Sequence, residues 1–509
     1  MINYKITAKL GAFLLLLCLT TCSQKAEDEV QVPPNILFLF ADDQRGNTIH
    51  ALGNDEVITP NLDRLVEQGT YFENAYVMGS MSGAVCAPSR AMLMTGRTLF
   101  NIDPTGHTID TSHVTLPKAL ATSDYKTFHI GKWHNGRPAF TNSFEDGSTI
   151  FFGGMHSQYN VPTYEYRPDG NYTKETQNDL SPQHSSELYA DAAVNFLDNY
   201  QDENPFFMYV AFQAPHDPRE MPEKYLAMYD TANIELPPNY MPQHPFDNGE
   251  LDIRDEWLAG YPRTKPEIKA NIAAYYAMIT HLDEQIGRIL QKLEEKGLAE
   301  NTLIVFAGDN GLAVGQHGLM GKQNLYEHSI GVPLVFKGPG VPKGERRDAI
   351  SYLSDLYPTF CTITGAPIPE MVQGKSLWNV VQGQEAAVRN SGYYVYKNFQ
   401  RAARNDQWKI IKYNVDNEVV TQLFDLKSDP FEIENLANNP QFADKLEEME
   451  QLLIKKMDEE NDKADLNQKG WGVPVIQAWK DKVDSTVVAN LRQMAKEERA
   501  SRGFVDSEE

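Results

Sequence analysis

Cysteine is scarce: the chain has four in 509 residues, so no disulfide framework holds it together. Long apolar runs are missing too. None reaches the roughly 18–20 residues of a spanning helix, which excludes a multi-span membrane protein. Basic residues are outnumbered, 46 Lys and Arg against 70 Asp and Glu, for a net charge of −24 at pH 7. So acidic a chain lacks the footprint of a duplex DNA or RNA binder, and no nucleic-acid partner is expected. What remains is a globular balance, 41% hydrophobic, 10% aromatic and 23% charged. At roughly 100–200 residues per domain, the length allows more than one.

The N-terminus reads as an export signal over residues 1–21. Lys5 and Lys9 lead into an apolar stretch from Leu10 to Leu19 with no acid, the pattern of a segment removed from the mature protein. Leu19-Thr20-Thr21-Cys22 is similar to a bacterial lipobox, which implies lipidation of Cys22; an ordinary secretory signal is the other reading. The expectation is an exported protein, periplasmic or on the cell surface, held to the membrane by an N-terminal lipid, with residues 22–34 as a polar tether. Cys86 and Cys361 then remain. Their number allows one disulfide, while the apolar neighbours of Cys361 favour a buried thiol.

Continuous apolar runs at residues 35–41, 125–130, 206–212, 302–307 and 333–336 read as buried parallel strands. Helical periodicity lies between them at 61–68, 185–199 and 267–296. Alternation of the two predicts an α/β fold, a large mostly parallel central sheet flanked by helices. Short alternating segments at 393–396, 408–413 and 422–426, then a helical stretch at 443–456, predict a small C-terminal antiparallel sheet with a helix. The domain reading is a catalytic domain over 35–385 and a C-terminal subdomain over 386–509, ending in a charged, frayed tail from Glu497.

Ligands of open α/β sheets bind beyond the carboxyl ends of the strands. There the sequence places Asp42-Asp43, then Gly131-Lys132-Trp133-His134, then Gln213-Ala214-Pro215-His216, then Gly308-Asp309-Asn310-Gly311. Three carboxylates and an amide oxygen make an all-oxygen set suited to Ca²⁺ or Mg²⁺. The nitrogen groups suit an anionic substrate. A further segment, Cys86-Ala87-Pro88-Ser89-Arg90, reads as a turn entering a helix that stops at Gly96. Cys86 then stands at a helix N-terminus, which favours an anion. Arg90 either folds back over the cysteine or pairs with an acid.

Cys-x-Pro-Ser-Arg followed by Leu93, Thr95, Gly96 and Arg97 resembles the signature of the type I, formylglycine-dependent sulfatases of the alkaline phosphatase superfamily. The resemblance extends over about residues 33 to 460, through the motifs above, Gly318-Leu-Met-Gly-Lys322 with Tyr326-Glu327, and Leu423-Phe-Asp-Leu-Lys-Ser-Asp-Pro430. It implies that a maturation enzyme oxidises Cys86 to formylglycine. The hydrated aldehyde would attack sulfur and form a sulfo-enzyme intermediate, and its second hydroxyl would then expel sulfate. It implies one Ca²⁺ held by Asp42, Asp43, Asp309, Asn310 and residue 86. Arg90 would hold the hydrate and Lys132 and Lys322 the sulfate oxygens; His216 would be the general acid and His134 would assist release, or the two histidines exchange these roles. His317 and Arg137 are further candidates for substrate contact. The expected substrate is a sulfated glycan, an extracellular polysaccharide or its oligosaccharides.

Histidines 107, 156 and 244 and Arg404 fall between the motifs and are read as loop residues able to meet sugar hydroxyls or a carboxylate, or as plain surface. His129 and His281 read as structural or surface groups. Two other readings remain: a phosphate or phosphonate ester hydrolase of the same superfamily, and a surface lipoprotein that binds sulfated glycans without catalysis.

Overall fold

The computed structural model describes residues 33–103, 105–466 and 485–504. The export signal, Cys22 and most of the tether lie outside the described residues. Among the described residues no helix is long and apolar enough to cross a membrane.

Eight strands form the central sheet: β1 (Asn35–Ala41), β2 (Thr70–Phe72), β3 (Lys126–Lys132), β4 (Asp146–Phe151), β5 (Phe206–Ala211), β6 (Thr302–Gly308), β7 (Leu334–Lys337) and β8 (Glu345–Arg347). Their order is β8-β2-β7-β6-β1-β5-β3-β4. Neighbours run parallel except at β7, which is antiparallel to both β2 and β6. The run at 333–336 is therefore a strand as expected but of the opposite direction. Continuous apolar sequence reports burial on both faces, and it carries no information on direction.

β1 shows why the sheet is central. All seven of its residues are buried, and successive side chains alternate between two cores. Ile36, Phe38 and Phe40 join the core on one side, with Leu93 of α2 (Cys86–Thr95) and Phe360 of α5 (Leu356–Thr364). Leu37, Leu39 and Ala41 join the other, with Leu197 of α3 (Ser185–Asn199) and Ile286 of α4 (Lys265–Glu295). On that side α1 (Pro60–Glu67) also packs, through Leu62 and Leu65. The result is a three-layer α/β sandwich.

The C-terminal sheet has four antiparallel strands, Gly392–Tyr396, Gln400–Arg404, Trp408–Val415 and Glu418–Asp425, with Gly79–Ser80 added parallel to the first. Helix α6 (Ala443–Glu459) covers it through Met449, Leu453 and Met457. Its side chains belong to the same core as Ile36 and Phe38. Gln400–Arg404 is a strand that periodicity missed, and Arg404 is a buried strand residue rather than a loop residue. The expected frayed tail is corrected as far as residue 504, and the rest of it lies outside the described residues. Helix α7 (Ser485–Ser501) runs through Glu497, and Glu498 accepts a hydrogen bond from the Arg219 backbone at 3.0 Å. Cys361 is buried in α5 and both it and Cys86 are free thiols, so the disulfide allowed by number is not formed.

Candidate active site

The sheet sets the four strand ends side by side. β6, β1, β5 and β3 are consecutive neighbours, and their registers align Gly308 with Ala41, Phe40 with Ala211, and Ala211 with Gly131. Asp309, Asp42 and Lys132 follow at once. The alignment continues past the strands, with Asp309 N donating to Ala41 O at 3.0 Å and Asp42 N to Ala214 O at 3.1 Å. Gly131 is required here: at φ +90°, a Cβ would sit 2.1 Å from Ala211 O.

Asp42, Asp43 and Asp309 are all buried, and each meets a cation. Lys132 Nζ bonds Asp42 Oδ2, Lys322 Nζ lies 2.6 Å from Asp43 Oδ1, and Arg90 Nε donates to Asp309 Oδ2 at 3.0 Å. Three negative and three positive groups thus balance in a place where an unpaired charge costs several kcal/mol. Burial pushes the Asp42 carboxyl up, but Lys132, His216 and Arg90 outweigh it and hold it below the usual carboxylate range. Asp309 goes the other way, raised by burial and by Asp42. Of the two readings of Arg90, the structure chooses pairing with an acid.

The donor set fits a hard divalent cation. Asp42 Oδ1 and Asn310 Oδ1 are buried without a hydrogen-bond partner, which a site of this polarity does not leave uncompensated. Ligand atoms of Asp42, Cys86 and Asp309 lie within 4.8 Å of one another, as do those of Asp42, Asp43 and His216. Asn310 is oriented by its amide, which donates to Asp43 Oδ1 at 2.7 Å.

Cys86 opens α2, whose ten residues are all buried. Its Sγ lies 3.4 Å from His134 Nδ1 and 3.8 Å from Lys132 Nζ. Burial pushes the thiol above its ordinary value despite Lys132 and Lys322, which works against the nucleophilic thiolate. Burial, then Lys132, hold His134 well below its ordinary value. A neutral imidazole therefore faces residue 86, able to accept a proton. His216 differs. Its Nδ1 is 2.6 Å from Asp217 O, and since a carbonyl only accepts, Nδ1 carries hydrogen; Nε2 lies 3.6 Å from Asp43 Oδ2. Asp43 and His134 both have left-handed backbones, φ 64° and 71°, strain of order 1–3 kcal/mol that clusters at functional sites.

The structure gathers Asp42, Asp43, Cys86, Arg90, Lys132, His134, His216, Asp309, Asn310 and Lys322 into one cluster. It places the outer candidates differently. His317 is buried, stacks on Tyr326 at 3.9 Å between ring centroids and pairs with Asn239; burial pushes it down to about 3. Arg137 is exposed, with its guanidinium over the rings of Phe152 and Tyr164. His107 meets His134 edge-on at 5.2 Å. His244 is buried on Phe246 O and Tyr326, whereas His156 is half-exposed. Arg404 pairs with Glu327, far from a role as a surface reader. His129 is a core residue among Trp133, Phe140, Phe144 and Tyr209, and His281 a buried partner of Glu187.

Residues that hold these groups were missed. Asn135 Nδ2 donates to Ala87 O at 2.8 Å and fixes the start of α2 beside Cys86; Ser89 Oγ donates to Asp309 O at 2.6 Å; Tyr275 Oη donates to Asp43 O at 2.7 Å. Asn135 follows His134 directly, and a polar residue closing a strand-end motif was the available signal. Tyr275 lies inside the helical periodicity at 267–296, where the sequence marks it only as an apolar position.

Buried carboxylates beside paired cations, at the carboxyl ends of a mostly parallel sheet and next to a helix N-terminus, make a site suited to a cation and an anionic ester together. Comparison makes this specific. Residues 34–366 match the Sulfatase family model, and residues 315–459 match the model described as N-sulphoglucosamine sulphohydrolase, C-terminal. A sulfatase of Formosa agariphila is 30% identical, covering 87% of this chain and 91% of that protein. N-acetylglucosamine-6-O-sulfatase of Bacteroides thetaiotaomicron is 26% identical, over 86% and 89%. A structure solved with its substrate D-glucosamine-2-N,6-O-disulfate superposes with a TM-score of 0.71 at 25% identity, over 86% of this chain and 99% of that one. The chain belongs to the sulfatase family of the alkaline phosphatase superfamily and is a sulfuric ester hydrolase. The family implies a metal and a formylglycine in general.

Proposed function

We propose that this sulfatase removes sulfate from a sulfated carbohydrate, using a Ca²⁺ ion and a formylglycine formed from Cys86 by a maturation enzyme. One observation carries the reading: Cys86 opens a buried helix between a lysine and a neutral histidine, against three buried carboxylates. The names of the relatives, an N-acetylglucosamine-6-O-sulfatase and a protein bound to a glucosamine disulfate, support the carbohydrate.

Asp42, Asp43, Asp309 and Asn310, with residue 86, would hold the cation, which polarises a sulfate oxygen. The formylglycine hydrate supplies a nucleophilic hydroxyl and a second hydroxyl for release. The chain's own groups do the rest. Lys132 and Lys322 stand where charge grows on the sulfate oxygens. Neutral His134, with Nδ1 toward residue 86, accepts a hydroxyl proton. His216, its Nδ1 tied to a carbonyl, presents Nε2 to the leaving alcohol as general acid. The same reading has the enzyme exported, with Cys22 lipidated. Its test is turnover of an aryl sulfate against an aryl phosphate, then release of sulfate from defined sulfated oligosaccharides. Activity on sulfate esters and on at least one sulfated sugar is expected; hydrolysis confined to the phosphate would overturn it.

A further inference from the structure

The chain between β5 and α4, residues 212–264, has no strand and only short helical turns, yet buried charges fix it. Asp217, next to His216, is one anchor. Arg254 grips it from two sides, Nη1 bonding Oδ2 and Nη2 bonding Oδ1 at 3.0 Å. The same guanidinium holds a second carboxylate, with Nε donating to Asp255 Oδ1 at 2.9 Å. Asp255 Oδ2 in turn accepts from Gln323 Nε2 at 2.8 Å. Gln323 Nε2 also donates to Gly83 O at 3.0 Å, and Gln323 Oε1 accepts from the Lys322 backbone at 2.9 Å.

This path joins three parts of the active site that are remote in sequence. His216 leads to Asp217, Asp217 to Arg254, Arg254 to Asp255, and Asp255 through Gln323 to Lys322 and to the loop before Cys86. A bidentate guanidinium–carboxylate pair fixes direction as well as distance. Asp217 also supplies the carbonyl that takes the His216 Nδ1 hydrogen. The Asp217 carboxylate faces the same ring nitrogen, Oδ1 lying 3.5 Å from His216 Nδ1, so its release from Arg254 would remove that contact and loosen the turn that aims Nε2.

We infer that Arg254 is a positioning residue for the reaction: by clamping Asp217 to Asp255, it holds His216 in the orientation that delivers a proton to the leaving oxygen. The inference rests on the general-acid reading of His216. Arg254 acts on the leaving oxygen through His216, so on an ester with a poor leaving group its loss copies the loss of a correctly aimed acid. Displacement of a catalytic group by about 1 Å costs of order 100-fold.

The test uses the full-length matured enzyme and two esters, nitrophenyl sulfate and a sugar sulfate with a poor leaving group. Arg254→Gln is expected to lower kcat on the sugar sulfate about 10- to 100-fold, with about threefold or less on nitrophenyl sulfate and little change in KM. Arg254→Lys restores part of the loss. In a His216→Ala background, Arg254→Gln lowers kcat on the sugar sulfate by less than about twofold, because the group it serves is gone. Equal losses on both esters in Arg254→Gln, or its full loss in the His216→Ala background, overturn the inference alone. Equal losses on both esters in His216→Ala overturn the general-acid reading and the inference with it. Should Arg254→Gln fail to fold, Asp217→Asn is measured in the same way, since it keeps the carbonyl and weakens the clamp.

Discussion

Two clusters of buried charge lie in this molecule, and they are built to different ends. At the strand ends, Asp42, Asp43 and Asp309 face Arg90, Lys132 and Lys322. At the junction with the C-terminal sheet, Glu327 and Glu432 face Arg404 and Lys409. The junction closes on itself: Glu327 Oε2 takes Arg404 at 2.8 Å, Glu327 Oε1 takes Lys409 at 2.9 Å, and Lys409 also reaches Glu432 Oε1 at 2.8 Å. Both clusters are balanced in charge, and each holds an oxygen without a hydrogen-bond partner and one left-handed acidic residue, Asp43 at φ 64° and Glu432 at φ 56°. They differ in convergence. Ligand atoms of Asp42, Cys86 and Asp309 lie within 4.8 Å of one another, as do those of Asp42, Asp43 and His216, and among the described residues no such group occurs at the junction. Buried charge that serves structure pairs off, whereas buried charge that serves chemistry also converges on one point.

That contrast can be broken by mutation. The largest effect is expected from Asp309→Ala, which removes a proposed metal ligand and the nearer of the two carboxylates that face Arg90. Sulfatase turnover should fall at least about 1,000-fold, and metal analysis should show loss of the metal that the parent binds, Ca²⁺ on the proposed reading. Retained turnover would make the strand-end cluster a structural one. Arg404→Ala should do the reverse. Breaking a buried pair typically costs about 3–5 kcal/mol, so denaturant unfolding should show a loss of that order while kcat per folded molecule holds within about threefold. A loss of kcat without a loss of stability would erase the distinction.

His216→Ala sharpens the comparison within the active site. Its kcat should drop about 100-fold on a sugar sulfate and much less on nitrophenyl sulfate, whose leaving oxygen needs little protonation. Equal losses would point to sulfate binding instead. The smallest effect concerns pH. Burial, reinforced by Glu327, pushes Glu432 from 4.5 up to about 7. The folded protein therefore keeps this proton longer than the unfolded chain, and the Glu432 contribution to stability declines as pH rises from about 4.5 to about 7. Glu432→Gln removes the decline. Its melting temperature relative to the parent should rise by a few degrees between pH 5 and pH 8; a pH-independent difference would argue against the raised value.

The active-site cluster was more legible in the sequence than its surroundings. Strand ends of an α/β sheet are short, and their polar residues stand out against apolar runs, as Asp42-Asp43 does after β1 and Asp309-Asn310 after β6. The cysteine motif was legible because Pro88 and Gly96 bracket a helix. Direction was not: β7 is as apolar as its neighbours but antiparallel. Nor was support from remote residues, because Tyr275 contributes one hydroxyl from an otherwise apolar helix face and Arg254 lies in a stretch without periodicity. Arg404 misled for the opposite reason. Arginine usually marks surface, and its burial depends on Glu327, 77 residues away.

The most direct measurement is the mass of the peptide containing residue 86, read beside activity. Conversion of cysteine to formylglycine lightens that residue by about 18 Da. Prepared in a host with the maturation enzyme, the protein should show the lighter peptide, with turnover proportional to the converted fraction, and Cys86→Ala should be inactive yet folded. Protein with an unconverted Cys86 turning over sulfate esters at the full rate would contradict the account, in which the aldehyde hydrate and not the thiol is the nucleophile.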